Sequence, residues 1–195
     1  NMSNPLINKN TQPYNSVPFK EIESEHFLPA IKHFIKESEN NINLICGNES
    51  APTFNNTILA LESSTDNLDY VVTVYRHMFA SEADDKIKNL IKEINPLTTK
   101  FYNDVYLNLD LFDRIKTVYR SIDNLDENDR RLLSEVYEGF VRSGANLNNI
   151  DKEEYREISL ELSSLSPKFS NNVLNATYKI NEFWVANESD LKGIP

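Results

Sequence analysis

Ile31-Lys32-His33-Phe34-Ile35-Lys36-Glu37-Ser38-Glu39-Asn40-Asn41-Ile42-Asn43-Leu44-Ile45-Cys46-Gly47 is the stretch that decides the fold class. Ile31, Phe34, Ile35, Ser38, Ile42 and Ile45 keep to steps of three and four, and mostly charged or amide side chains fill the gaps. A stripe of that period is one face of an amphipathic helix, whereas a strand would need alternation at every second residue. Gly47 follows the last periodic residue, where glycine commonly stops a helix.

Outward from this helix the same period recurs almost throughout. On the N-terminal side, Pro5, Pro13 and Pro18 lie among Asn and Ser, so residues 1–22 are expected to run extended over the surface. Downstream, Pro52-Thr53 breaks the chain. Ile58 and Leu61, then Leu68, Val71, Val72, Tyr75 and Phe79, predict a second helix bent at Ser63-Ser64. A third begins near Asp84-Asp85, whose charges suit a helix N-terminus, and carries Ile87, Leu90, Ile91 and Ile94. It should be interrupted at Pro96 and resume through Phe101, Val105 and Tyr106. Leu111, Phe112, Ile115, Val118 and Tyr119 predict a fourth. Asp126-Glu127-Asn128-Asp129 reads as the capped entry to a fifth, with Leu132, Leu133, Val136, Tyr137 and Phe140 inward and Gly144 closing it.

The last helix is expected from Asp151, with Tyr155, Ile158, Leu162, Leu165, Phe169 and Val173 forming a heptad-like seam. So short a seam suits a helix packed in an antiparallel hairpin, the alternative being a dimeric coiled coil. Pro167 should kink or restart this helix, because it cannot donate to the Ser163 carbonyl. Ile180-Asn181-Glu182-Phe183-Trp184-Val185 reads as a short strand or extended piece. The expected fold is therefore all-α, an antiparallel helical bundle or set of hairpins of about six helices, with a short extended segment near the C-terminus. Three regions follow: an extended segment 1–22, a helical domain 23–179, and a strand or loop 180–195 expected to lead into a further region.

Composition narrows the function. The 195 residues hold 20 Lys+Arg against 30 Asp+Glu, a formal net charge of −10, and 39% are hydrophobic. A chain of this size buries roughly 70% of its unfolded surface, enough for one core. Four glycines are too few for a barrel or sandwich rich in tight turns, or for a phosphate-cradling loop. The acidic balance excludes a nucleic-acid partner, whose affinity would come from Lys and Arg neutralising phosphates. No window approaches the ~18 apolar residues of a membrane span, and the polar N-terminus lacks a signal peptide's apolar core, so a cytoplasmic protein is expected.

No constellation here carries chemistry. Cys46 is the sole cysteine, so it forms neither an internal disulfide nor a thiolate zinc site. His26 and His33 are seven residues apart, about 10.5 Å along a helix, too far to share one zinc ion. His77 has Ser81 four residues on. None of the three opens a His-Glu-x-x-His motif, being followed by Phe27, Phe34 and Met78. The run from Asp126 fails as a calcium loop, with Arg130 and Arg131 where a ligand and a glycine belong. There is no Gly-x-Ser-x-Gly elbow. No catalytic, cofactor-binding or metal-binding residue is therefore assigned.

Several strings nevertheless fall in a meaningful order: Asn4-Pro5-Leu6, Val17-Pro18-Phe19 with Ile22, His26-Phe27-Leu28-Pro29-Ala30, and Ala51-Pro52-Thr53-Phe54-Asn55-Asn56-Thr57-Ile58-Leu59-Ala60-Leu61-Glu62. Tyr106-Leu107-Asn108, Leu111-Phe112-Asp113-Arg114-Ile115 and Gly144-Ala145-Asn146-Leu147 follow, then Lys168-Phe169-Ser170-Asn171-Asn172-Val173-Leu174 and Asp190-Leu191-Lys192-Gly193-Ile194-Pro195. Together these resemble the N-terminal region of the thimet-oligopeptidase family of zinc metallopeptidases, which includes peptidyl-dipeptidase (dipeptidyl carboxypeptidase) and oligopeptidase A. The resemblance runs from Asn4 to Pro195. The strings around Leu59 and Leu111 are closer to peptidyl-dipeptidase; the one around Asn171 is equally like oligopeptidase A. Pro167 departs from the family pattern.

The resemblance implies a largely helical fold flanking a deep channel, and a parent enzyme that takes short peptides. It also implies that the zinc ligands lie downstream, in a catalytic region absent from this chain, since no position here matches them. The chain's partners would then be that C-terminal catalytic region and the parent's short peptide substrates.

Overall fold

The computed structural model describes residues 4–8, 22–81 and 85–164. Within them the chain forms α1 (Phe27–Cys46), α2 (Ala60–Ser64), α3 (Asp66–Ser81), α4 (Asp85–Tyr106), α5 (Leu109–Tyr119), α6 (Glu127–Arg142) and α7 (Asn149–Ser164), with no strand among the described residues. The all-α expectation holds. The second predicted helix is α2 plus α3, broken at Thr65. Leu165, Phe169 and Val173 of the seam, Pro167 and the segment from Ile180 lie outside the described residues.

α1 is the centre of the bundle and touches α2, α3, α4 and α5. Its stripe supplies Phe27, Ala30, Ile31, Phe34, Ser38, Ile42 and Ile45, all buried. α3 runs antiparallel to it: the Phe27 and Tyr75 rings meet at 5.7 Å, while Asn67 Nδ2 donates to Glu37 Oε1 at 2.7 Å. From α3, Leu68, Val71, Val72, Val74 and Tyr75 complete that side. α5 and α6 meet through aromatic rings, with Phe112 stacked on Tyr137 and Phe140, and Tyr119 on Tyr137.

The helix ends follow local chemistry. Thr53 and Asn56 exchange capping bonds of 3.1 and 2.8 Å before a π-helical turn, Phe54–Leu59, that leads into α2. Asn108, Asp126 and Asn148 each accept an N–H three residues on, opening α5, α6 and α7. The run at Asp126 is thus an acidic cap. Gly144 closes the turn after α6 with φ 93°, where a Cβ would come within 2.8 Å of a Leu147 methyl.

Three local expectations are corrected. Pro96 does not interrupt the third helix: α4 is continuous from Asp85 to Tyr106. Ile91 and Ile94 before the proline and Phe101 and Val105 after it are all buried, and this burial offsets the roughly 3 kcal/mol that proline costs inside a helix. Residues 4–8 form a turn rather than an extended run, with Leu6 buried in the core and Asn4 Nδ2 donating to the His26 carbonyl at 2.8 Å.

The third correction concerns α7, which begins at Asn149 and packs on α4. Its side chains toward α4 are Lys152, Arg156, Ser159, Leu160 and Ser163, while Tyr155, Ile158 and Leu162 of the predicted seam are exposed. The contact is polar. Asn103 Nδ2 donates to Ser159 Oγ at 2.6 Å, and the Arg156 guanidinium pairs with Asp104. α7 thus meets α4, with α5 and α6 intervening along the chain, by a face about 110° around the helix from the seam.

Candidate functional site

Among the described residues a groove of about 420 Å³ lies between α2, α3, α4 and α6. Its rim carries Glu62 from α2, Asp66 and Asp69 from α3 and Glu135 from α6; its floor includes Tyr102 and Tyr106 from α4 and Phe140 from α6. The break at Thr65 turns α2 against α3 so that their carboxylates share one opening. Tyr106 and Phe140 meet edge to face at 5.0 Å.

Asp69 is held in place by two hydroxyls. The Tyr102 hydroxyl donates to one carboxylate oxygen, and Thr65 Oγ1 donates to the other at 2.7 Å. Burial raises the Tyr102 phenol well above its usual range, and the hydrogen bond and charge of Asp69 add to that. Tyr106 is raised by burial and by the charges of Asp69 and Glu62. The Glu62 carboxyl is raised too, first by desolvation and then by repulsion from Asp66, Asp69 and Glu135. No Lys or Arg lines the groove; Arg131 pairs with Glu135 at 3.0 Å from outside it, so the carboxylates of Glu62, Asp66 and Asp69 give the groove a field that favours cations over anions.

The sequence candidates lie elsewhere and do not converge. His26 sits in the turn before α1, where its Nδ1 accepts the Glu23 N–H at 3.0 Å. His33 is exposed on α1, its ring edge-on to Phe34 at 5.0 Å. His77 is exposed on α3. Cys46 ends α1 half-buried, and desolvation, then the charge of Asp110, push its thiol pKa up, away from a reactive thiolate. Among the described residues no group of three or more His, Cys, Asp or Glu could hold a metal ion. The groove has no sequence motif because its carboxylates come from three helices; its one local signal is the spacing of Glu62, Asp66 and Asp69 along a single helical face.

No helix among the described residues is long and apolar enough to cross a membrane. No protein-family model matches the chain. It is 32% identical to dipeptidyl carboxypeptidase of Escherichia coli over 175 residues, covering 89% of this chain and 26% of that protein. With oligopeptidase A of Haemophilus influenzae the identity is 28% over 196 residues, covering 100% of this chain and 28% of the relative. With a probable cytosolic oligopeptidase A of Arabidopsis thaliana it is 28% over 197 residues, 99% of this chain and 27% of the relative. The chain thus spans about a quarter of the length of the curated relatives it matches. It is homologous to the N-terminal region of dipeptidyl carboxypeptidase and oligopeptidase A, of the thimet oligopeptidase family.

Proposed function

We propose that this chain is the non-catalytic, helical N-terminal domain of a longer zinc-dependent oligopeptidase of the peptidyl-dipeptidase type. The observation that carries the reading is the identity to dipeptidyl carboxypeptidase across 89% of this chain but 26% of that protein. The absence of His-Glu-x-x-His anywhere in the sequence fits a division in which the zinc ligands lie downstream. Helices α1–α7 wall a substrate channel, and the chain beyond them leads into the catalytic region. A rigid helical wall excludes folded proteins by size and shields a bound peptide from bulk water. The parent releases dipeptides from peptide C-termini in the cytoplasm, a compartment supported by the name of the Arabidopsis relative.

The test is to extend the reading frame beyond Pro195 and purify both products. The longer one should bind zinc stoichiometrically and release C-terminal dipeptides from a short peptide, while the 195-residue chain should do neither. Hydrolysis by the shorter chain would refute the reading. Internal cleavage by the longer one would favour the second reading, an oligopeptidase A-type endopeptidase, which full coverage of the chain by the Haemophilus relative also supports. A stand-alone interaction module is the remaining alternative, and the exposed seam of α7 is the observation in its favour.

A further inference from the structure

α7 turns its polar side to the bundle and its apolar side away. Tyr155, Ile158 and Leu162 are 37%, 51% and 54% exposed, and Ile150 at the N-terminal end is 81% exposed. Tyr155, Ile158 and Leu162 occupy adjoining positions of one helix face at steps of three and four, the arrangement by which an amphipathic helix meets a partner helix, whereas Ile150, five residues before Tyr155, lies to one side of that face. The charges around the face have one sign. Asp151, Glu153, Glu154, Glu157 and Glu161 are exposed, whereas Lys152 is buried and Arg156 is engaged by Asp104 and Glu153.

That distribution selects the occupant. A second copy would set carboxylates against carboxylates, and like charges across an interface cost several kcal/mol. An anionic membrane surface is repelled for the same reason. We infer that the seam is the seat of a helix with an apolar stripe and Lys or Arg margins, supplied by the part of the longer polypeptide beyond this chain. The source rests on the proposed function, in which relatives almost four times as long carry the remainder; the chemistry rests on α7 alone.

Two synthetic helical peptides of about five turns, with the same leucine stripe but Lys margins in one and Glu margins in the other, test the chemistry. The 195-residue chain should bind the Lys peptide with micromolar affinity, about tenfold or more tighter than the Glu peptide, and rising salt should erode the difference. Ile158→Glu and Leu162→Glu should each abolish binding while leaving the circular dichroism spectrum and melting temperature unchanged, because both side chains point to solvent. Equal binding of the two peptides, no binding, or a dimer in light scattering that Leu162→Glu dissolves would overturn the proposal. The longer gene product should refuse the Lys peptide, its seam being filled, and regain it on no condition short of unfolding; binding there as tight as in the short chain would overturn the source. Zinc content and peptide hydrolysis are read separately, so failure of the docking proposal is distinguishable from failure of the proposed function.

Discussion

α1 and α7 are both amphipathic helices, of 20 and 16 residues, yet they use their apolar stripes in opposite ways. α1 turns its stripe inward, where Phe27, Ile31, Phe34, Ile42 and Ile45 are buried against four other helices. α7 is held on α4 by Asn103–Ser159 and Asp104–Arg156 bonds and leaves Tyr155, Ile158 and Leu162 in solvent. A helical period therefore says where an apolar face lies, but which neighbour covers that face depends on the rest of the fold. The largest expected effect breaks the comparison if it fails. Ile31→Ala should cost about 3 kcal/mol of unfolding free energy, a buried truncation that leaves a cavity, whereas Leu162→Ala should stay within about 0.5 kcal/mol, as surface changes do. Denaturant midpoints at unchanged slope would measure both. A loss at Leu162 rivalling that at Ile31 would mean the seam is covered in solution.

Next in size is a change that should stabilise the protein. Lys152 lies on the α4 side of α7 and is 95% buried, and its ammonium has no hydrogen-bond partner. Burying an unpaired cation is costly, and an apolar side chain of similar volume removes that cost while keeping the packing. Lys152→Met should raise the unfolding free energy by about 1–2 kcal/mol, read as a higher denaturant midpoint. A decrease would show that the ammonium is satisfied in solution.

The same two helices explain how far the amino-acid sequence could be read. For α1, the stripe, the period and Gly47 agreed with the packing, because one helix surrounded by others has its whole apolar face covered. For α7 the existence of the helix was legible, but its neighbour and its packing face were not: the deciding contacts are Asn103, Asp104, Arg156 and Ser159, ordinary polar residues whose partners lie more than fifty positions away. Pro96 departs from its local expectation for a related reason, since burial of Ile94 and Phe101 on either side outweighs a local preference. The groove was legible only as an excess of acid. Its members become a site through the bend at Thr65 and the approach of α6, and neither leaves a spacing signature that joins Glu135 to Glu62.

The smallest effect concerns polar crowding beside α1, at α2. Glu62 has its carboxyl pKa raised by desolvation first and by Asp66, Asp69 and Glu135 after it. A carboxyl whose folded pKa is raised binds its proton more tightly in the folded state than in the unfolded one, so the stability it supports is complete at low pH and lost as pH rises through the folded value. Glu62→Gln should therefore match the parent chain below the ordinary carboxylate range and exceed it at neutral pH. Because Glu62 lies at the open rim, solvent screening limits the gain to about 0.2–0.5 kcal/mol. Salt separates the two causes. If repulsion among the four carboxylates dominates, raising ionic strength should erase the neutral-pH gain; if desolvation dominates, as its rank among the causes indicates, the gain should survive in high salt. A variant less stable than its parent at neutral pH would instead mean that a cation or donor already sits in the groove and that Glu62 holds it.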